Sequence, residues 1–537
     1  MRLYYLKNGR KHIAQYSNED VKFDIRMFNA RTTIRIKAKN DITLLKADEV
    51  IPFNVNFQNL YFLNGYQSWT DTKEFKLVKR ERNIKKSPHI ITKMFAMDKY
   101  GDSSFYRYSI RKSHGYDLFY SRGENELLIY SHNAATAYLI IELIKDRKSV
   151  HLISDVKGIT LKKGEEVTIF DYSLIYDLVE GMESFLGEFK RKNVEKIFGY
   201  TSWYNYYQKI NEEIILRDLD ALDSRFNLFQ IDDGYETFVG DWLDVDQTKF
   251  PNGLKPIVEK IHSKGLKAGI WLAPFVAETN SKLFKEHPEY FKKDKKGKPI
   301  KAGGNWSGFY SLDLDNPEVL DYIKKCLNYY VELGFDFFKL DFLYASALPT
   351  YEGRSRAQVQ QKAYEFLRNS LKNKLILGCG AHILNSFNNF DYLRVGPDVS
   401  LVFDDVAYMR LFHRERISTK VTIQNTIYRS FMDNRLFGND PDVFLLRDDN
   451  IQLTKQQRRA LITINALFGS VLMTSDNIAS YNDEKKALLE KALNLFKNGK
   501  VVRYETYHSQ IRVKYQLNGE DHSFTYHVNK GELSNER

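Results

Sequence analysis

Phe335-Asp336-Phe337-Phe338-Lys339-Leu340-Asp341 is an apolar run that ends in a charge. Its length and aromatic content suit a buried β-strand. Side chains alternate along a strand, so Phe337, Lys339 and Asp341 share one face, and Phe338 and Leu340 the other. The residues before it are equally informative. Asn316-Pro317 opens a segment that carries Leu320, Ile323 and Leu327 on one stripe and stops at Gly334. Proline just inside the start and glycine just past the end are helix boundary signals, so a helix feeds directly into the strand.

The unit repeats on both sides. A helix is expected after Asn211, with Glu212 and Glu213 in its first turn and Ile215, Leu219 and Leu222 on one face. Another places Leu254, Ile257, Val258 and Ile261 on a stripe and ends at Gly265. The expected strands are Phe198–Tyr200, Leu228–Ile231, Ala268–Leu272, Phe335–Leu340, Leu375–Gly378, Leu393–Val395, Leu436–Asn439 and Val471–Thr474. Eight strands alternating with helices over residues 197–480 predict a closed parallel (β/α)8 barrel, the TIM barrel. The link between the fifth and sixth strands is too short for a full helix, and the residues before the seventh read as helix.

Farther out the pattern changes. Residues 1–180 hold stretches rich in β-branched and aromatic residues, such as Glu126–Tyr130, Tyr138–Ile144 and Val167–Tyr172, separated by turn signals. They predict an antiparallel β-sandwich. Met182, Phe185 and Phe189 recur at helical spacing, making residues 181–196 a helical linker. Residues 481–537 combine a linking helix over 483–497 with a small antiparallel β domain. Its hairpin is marked by Asn518-Gly519. The fold expected is therefore multidomain, a barrel flanked by two antiparallel β domains. At 537 residues the chain exceeds a single core.

The net charge of +11 comes from 80 basic and 69 acidic residues. Basic runs such as Lys292-Lys293 and Lys485-Lys486 are short and interrupted, unlike a phosphate-binding surface, so no nucleic-acid partner is expected. Cys326 and Cys379 are the two cysteines. They form no CxxC pair, which excludes a disulfide framework and a structural zinc site. No run has the length of a membrane span, and the amino terminus lacks a signal-peptide core. A cytoplasmic location is expected, and self-association into a homo-oligomer stays open.

In a parallel barrel the active site forms at the carboxyl ends of the strands. Trp203-Tyr204, Asp232-Asp233, Trp271, Asp341, Cys379, Asp398, Asp440 and Asp476 stand just after the apolar runs. So many charges at strand ends would stabilise a core poorly. Lys339 beside Asp341 would favour an ionised carboxylate, as a nucleophile requires. The alternative is a buried Lys–Asp pair without chemistry. In Arg394-Val395-Gly396-Pro397-Asp398, Arg394 and Asp398 share a face if the segment is extended. Asp398 then stands across the pocket as a second carboxylate, although a turn aspartate after Gly-Pro is an equal reading. Two carboxyls astride one bond are what glycoside cleavage needs. Asp232-Asp233 fits a turn, a divalent-metal site or a pair of acceptors for sugar hydroxyls, and the residues alone do not rank the last two. Asp404-Asp405 reads as a helix cap.

Gly65-Tyr66-Gln67-Ser68-Trp69, Gln230-Ile231-Asp232-Asp233-Gly234-Tyr235, Lys339-Leu340-Asp341-Phe342 and Arg394-Val395-Gly396-Pro397-Asp398 together resemble glycoside hydrolase family 36, closest to its compact α-galactosidases from thermophiles. The resemblance spans nearly the whole chain. It implies retaining hydrolysis of terminal α-D-galactosides, with Asp341 as nucleophile, Asp398 as acid/base and no cofactor or metal. It also implies that Asp232 and Asp233 bind the sugar O4 and O6. Lys339 and Arg394 match positions beside the catalytic carboxylates. Trp203, Tyr204 and Trp271 match residues shaping the sugar pocket, and Trp69 an aromatic reaching it from the amino-terminal domain. Cys379 matches a cysteine near O2. Larger bacterial members carry a longer motif there, whereas this chain has only Gly378-Cys379-Gly380-Ala381-His382. An α-N-acetylgalactosaminidase or a raffinose-synthase-like galactosyltransferase is the alternative on the same fold.

Overall fold

The computed structural model describes residues 1–77, 96–109, 111–144, 149–189, 193–348, 353–404 and 414–536. Its centre is a parallel barrel. The staves Ile197–Thr201, Leu228–Ile231, Lys267–Leu272, Phe337–Leu340, Leu375–Gly378 and Tyr392–Arg394 pair in chain order. The eighth, Val471–Thr474, pairs with the first.

The seventh stave is in two pieces. Gly438–Asp440 pairs with the sixth, and Val443–Phe444 with the eighth, so the two halves close the circle. The break falls at Pro441-Asp442, where proline has no N–H for the ladder and Asp442 turns to φ +73°. This stave lies two residues later than the sequence predicts. The helical character read before it belongs to Thr419–Tyr428 and the short turn Ser430–Met432.

The helices between staves begin and end where local chemistry dictates. Asn211 caps Glu212–Ala221 by accepting from the Ile214 N–H. Asn316 caps Pro317–Leu333, and Gly334 ends it at φ +104°. Val319, Ile323, Cys326, Leu327 and Tyr330 form the buried stripe of that helix. Between the third and fourth staves the chain adds a small sheet of Val276–Glu278, Lys301–Gly303 and Phe309–Ser311.

The amino-terminal segment folds as two seven-stranded antiparallel sheets packed face to face. Alternation along Leu127–Ser131 shows how it docks. Leu127 and Ile129 enter the sandwich core, while Leu128 and Tyr130 join the cluster that continues into the barrel. One face of this sheet thus fills the sandwich and the other covers the barrel. Helix Leu178–Gly187 lies at the junction, with Phe185 buried.

At the carboxyl end, helix Asp483–Asn498 leads into a four-stranded antiparallel sheet. Leu517 pairs with Glu520 across Asn518 and Gly519, both at positive φ, as the Asn-Gly signal requires. Asp404 accepts from Ser418 and Arg416 side chains, so its partners are tertiary; Asp405 lies outside the described residues. Among the described residues no helix is long and apolar enough to cross a membrane. Lys292 and Lys485, members of the basic runs, pair with Asp313 and Asp315, and with Asp448.

Candidate active site

Asp341 follows the last residue of the fourth stave and is partly exposed at the barrel mouth. Its Oδ2 accepts from the Trp271 indole at 3.1 Å, and its Oδ1 from the Phe342 N–H at 2.8 Å. Burial and the charge of Asp398 push its carboxyl up, against the pull of Lys339 and these two donors. The two donors fix the orientation of Asp341 and leave it lone pairs for substrate.

Lys339 does point to the same side as Asp341, but its direct partner is Asp232, at 2.8 Å. Burial works against the ammonium, but Asp232 together with other negative neighbours, Asp341 among them, more than offsets it, so Lys339 stays charged. Asp232 also accepts from Gln230 Nε2 at 2.7 Å and Thr201 Oγ1 at 3.1 Å. Lys339 therefore anchors Asp232 first and acts on Asp341 at longer range.

Asp233 faces a different set. Its Oδ2 accepts from Trp306 Nε1 at 2.8 Å and its Oδ1 from Gln208 Nε2 at 3.0 Å. Burial raises its carboxyl, and the neighbouring Glu236, buried beside it, is raised far more. Two buried carboxyls in contact cannot both ionise cheaply, so Glu236 carries the proton and Asp233 remains the acceptor. Among the described residues no group of three or more His, Cys, Asp and Glu is arranged to hold a metal ion.

Asp398 follows Gly396-Pro397 beyond the sixth stave, with its side chain 35% exposed. A side chain at Gly396 would meet Thr422 Oγ1 at 2.2 Å, so only glycine lets helix Thr419–Tyr428 close over this turn. Arg394 Nη1 lies 2.9 Å from Asp398 Oδ1. Arg394 is itself clamped by Asp440 and Asp442. Of the aspartates at strand ends, Asp476 is excluded from the mouth. It is fully buried and pairs with Arg447 at 3.0 Å.

Trp69 arrives from the sandwich. Its ring packs edge-on against Phe342 and Tyr344, with centroids 5.5 and 5.7 Å away. It also stands over the end of the fifth stave. A side chain at Gly380, which has φ +63°, would meet the indole at 3.1 Å. Its indole N–H has no acceptor among the described residues. Arg429 holds the loop beneath it, donating to Gln67, Ser68 and Val395 carbonyls. Cys379 is buried in the same corner, and burial drives its thiol well up, so it lines the site as a neutral group. Trp203 is partly exposed, whereas the Tyr204 hydroxyl turns inward to donate to Asp442.

Trp306, Gln208, Glu236 and Asp442 were not foreseen from the sequence. The first sits in the loop after Lys301–Gly303, far from any stave end. Its signal is compositional, a tryptophan in Gly303-Gly304-Asn305-Trp306-Ser307-Gly308.

A (β/α)8 barrel with aspartates and tryptophans ringed at its strand ends, and an aromatic lent by an amino-terminal sandwich, is the architecture of multidomain barrel glycoside hydrolases. Comparison narrows the class. Residues 188–370 match the melibiase family. An Escherichia coli α-galactosidase is 29% identical over 182 residues, 32% of this chain and 25% of that protein. A Flavonifractor plautii protein named A type blood α-D-galactosamine galactosaminidase is 26% identical over 204 residues, 34% of this chain and 19% of that one. The matches thus span a quarter or less of these curated relatives. The Thermus thermophilus α-galactosidase TtGalA, solved with stachyose, superposes with TM-score 0.70 at 25% identity over 91% of this chain and 99% of that one. In fold, and in sequence over the matched segment, the chain is similar to the melibiase-type α-galactosidases of glycoside hydrolase family 36.

Proposed function

We propose that the chain is a retaining exo-α-galactosidase acting on terminal α-D-galactosyl residues of oligosaccharides such as melibiose or raffinose. The observation that carries this reading is Asp341, held by Trp271 and the Phe342 N–H just beyond the fourth stave, with a second carboxylate, Asp398, beyond the sixth. Asp341 attacks the anomeric carbon while Asp398 gives its proton to the departing oxygen. The product is a galactosyl-aspartate ester of inverted configuration. Asp398, now ionised, deprotonates a water that attacks the same carbon from the vacated side, and the second inversion restores the configuration.

Asp232 and Asp233, each oriented by its own donors, are the acceptors for paired sugar hydroxyls. Trp69, Trp203 and Trp271 supply the apolar walls, and Cys379 stands on the O2 side. An α-N-acetylgalactosaminidase is the second reading on the same fold; the match to a galactosaminidase supports it only as far as a C2 amino sugar.

Nitrophenyl α-galactoside and its N-acetyl analogue separate the two, since the first should be cleaved and the second hardly at all. Asp341→Gly should abolish turnover, falling by a factor of at least about 10^3. Added azide should restore it by forming β-galactosyl azide. Substantial hydrolysis by that variant without azide contradicts the nucleophile assignment.

A further inference from the structure

The stretch Gly303-Gly304-Asn305-Trp306-Ser307-Gly308 presents one side chain, the Trp306 indole, to Asp233 at 2.8 Å. Trp306 does so from φ +52°, a left-handed backbone that a bulky aromatic residue keeps only when its surroundings fix it. Those surroundings come from two domains. On the carboxyl side of Trp306 the barrel holds the loop. The Ser307 N–H and hydroxyl donate to Glu278 Oε2 at 3.2 and 2.6 Å. Thr279 donates its hydroxyl to the Ser307 carbonyl at 2.8 Å and its N–H to the Gly308 carbonyl at 3.0 Å.

On the amino side the hold comes from the amino-terminal segment. Tyr100, just after the turn Met97–Lys99, donates its hydroxyl to Asn305 Oδ1 at 2.7 Å. The same oxygen accepts from the Gly304 N–H at 3.3 Å. One phenol thus bridges the two residues before Trp306. A Cβ at Gly303 would meet that oxygen at 3.0 Å and the Phe309 ring at 2.2 Å, so glycine is what admits this approach. Tyr100 is itself fixed. Gln67 donates Nε2 to the Tyr100 carbonyl and accepts on Oε1 from the Trp69 N–H, each at 2.8 Å. The Tyr100 ring stands edge-on to Trp69 and Tyr344, with centroids 6.2 and 5.8 Å away. Burial pushes the phenol up, so its hydroxyl keeps its proton and donates.

We propose that Tyr100 is a positioning residue: its hydroxyl holds the loop before Trp306 so that the indole orients Asp233 for the sugar. The inference rests on the reading of Asp233 as an acceptor for sugar hydroxyls. Tyr100 acts through Asn305 and Gly304 on Trp306, and through Trp306 on Asp233. It makes and breaks no covalent bond. The amino-terminal segment thereby acts on both sides of the mouth, through Trp69 directly and through Tyr100 at one remove.

The test is a double-variant cycle on nitrophenyl α-galactoside. Tyr100→Phe keeps the ring against Trp69 and Tyr344 and removes only the hydroxyl. KM should rise about fivefold while kcat changes less. In a Trp306→Phe background the same change should add little, because both act through one contact. An unchanged KM, or two full effects that multiply in the double variant, overturns the inference and leaves the galactosidase reading standing. A second readout needs no turnover. With fluorotryptophan at the five tryptophan positions, the Trp306 signal, assigned by its loss in Trp306→Phe, should shift in Tyr100→Phe. An unmoved Trp306 signal overturns the proposal whether or not galactose is released. Absence of galactose release by the wild type overturns the functional reading, and a shifted signal then still supports the hold of Tyr100 on the loop. If Tyr100→Phe does not fold, Asn305→Ala takes its place, since it removes the acceptor of the same bond, with the same outcomes expected.

Discussion

At the level of single residues, the sequence located the carboxylates but not what orients them. Asp341 and Asp232-Asp233 were legible because alternation and strand ends are local patterns. Trp306, which donates to Asp233, lies in a loop between strands of the small inserted sheet, so no period points to it. The consequence is testable. Removing that donor in Trp306→Phe leaves an ionised acceptor with one fewer charge-assisted bond, a loss of about 1.5 kcal/mol or more. KM for nitrophenyl α-galactoside should rise about tenfold while kcat changes less, as steady-state kinetics will report. An unchanged KM would remove Asp233 from sugar recognition. The Lys339 reading was half right in its physics: the shared face exists, but the nearer carboxylate is Asp232. Sequence alternation gives a direction, and distance to a residue on another stave is not contained in it.

Among the elements, helices with explicit boundary chemistry were read within a residue or two. Asn211 and Asn316 cap as their side chains allow, and Gly334 takes the left-handed conformation. Caps depend on a few neighbouring residues, so they survive without tertiary knowledge. Asn316→Ala should therefore lower unfolding free energy by about 1 kcal/mol in a denaturant titration, with kcat unaffected. A change in kcat would mean that this helix does more than frame the fourth stave. The seventh stave was legible only as an apolar stretch. Its break is held by non-local contacts: Asn465 Nδ2 lies 3.3 Å from the carbonyls of Asp442 and Val443, and Gly469 leaves room for the Pro441 ring. Because the break turns Asp442 toward Arg394, the hardest element to read is also the one that shapes the acid/base side of the mouth.

At the scale of the whole molecule, barrel, sandwich and carboxyl-terminal sheet all follow from hydrophobic period and turn chemistry. Their docking does not. Buried His382, just beyond the fifth stave, lies 2.9 Å from Asp117 of the sandwich and stacks on Tyr138, with ring centroids 4.2 Å apart. Arg429 reaches from the barrel to the loop that carries Trp69 and donates there to carbonyl, amide and hydroxyl oxygens. Burial lowers its guanidinium to about 9, so the joint spends a buried charge to fix a loop at the barrel mouth. Such an arrangement holds Trp69 of the sandwich against Phe342 and Tyr344 at the barrel mouth. The proposed mechanism is a displacement through Asp341 followed by attack of water from the face that the leaving group vacated. Proton NMR of nitrophenyl α-galactoside hydrolysis tests that most directly, because the anomer formed first is observed before mutarotation. The account predicts α-galactose; β-galactose appearing first would contradict it.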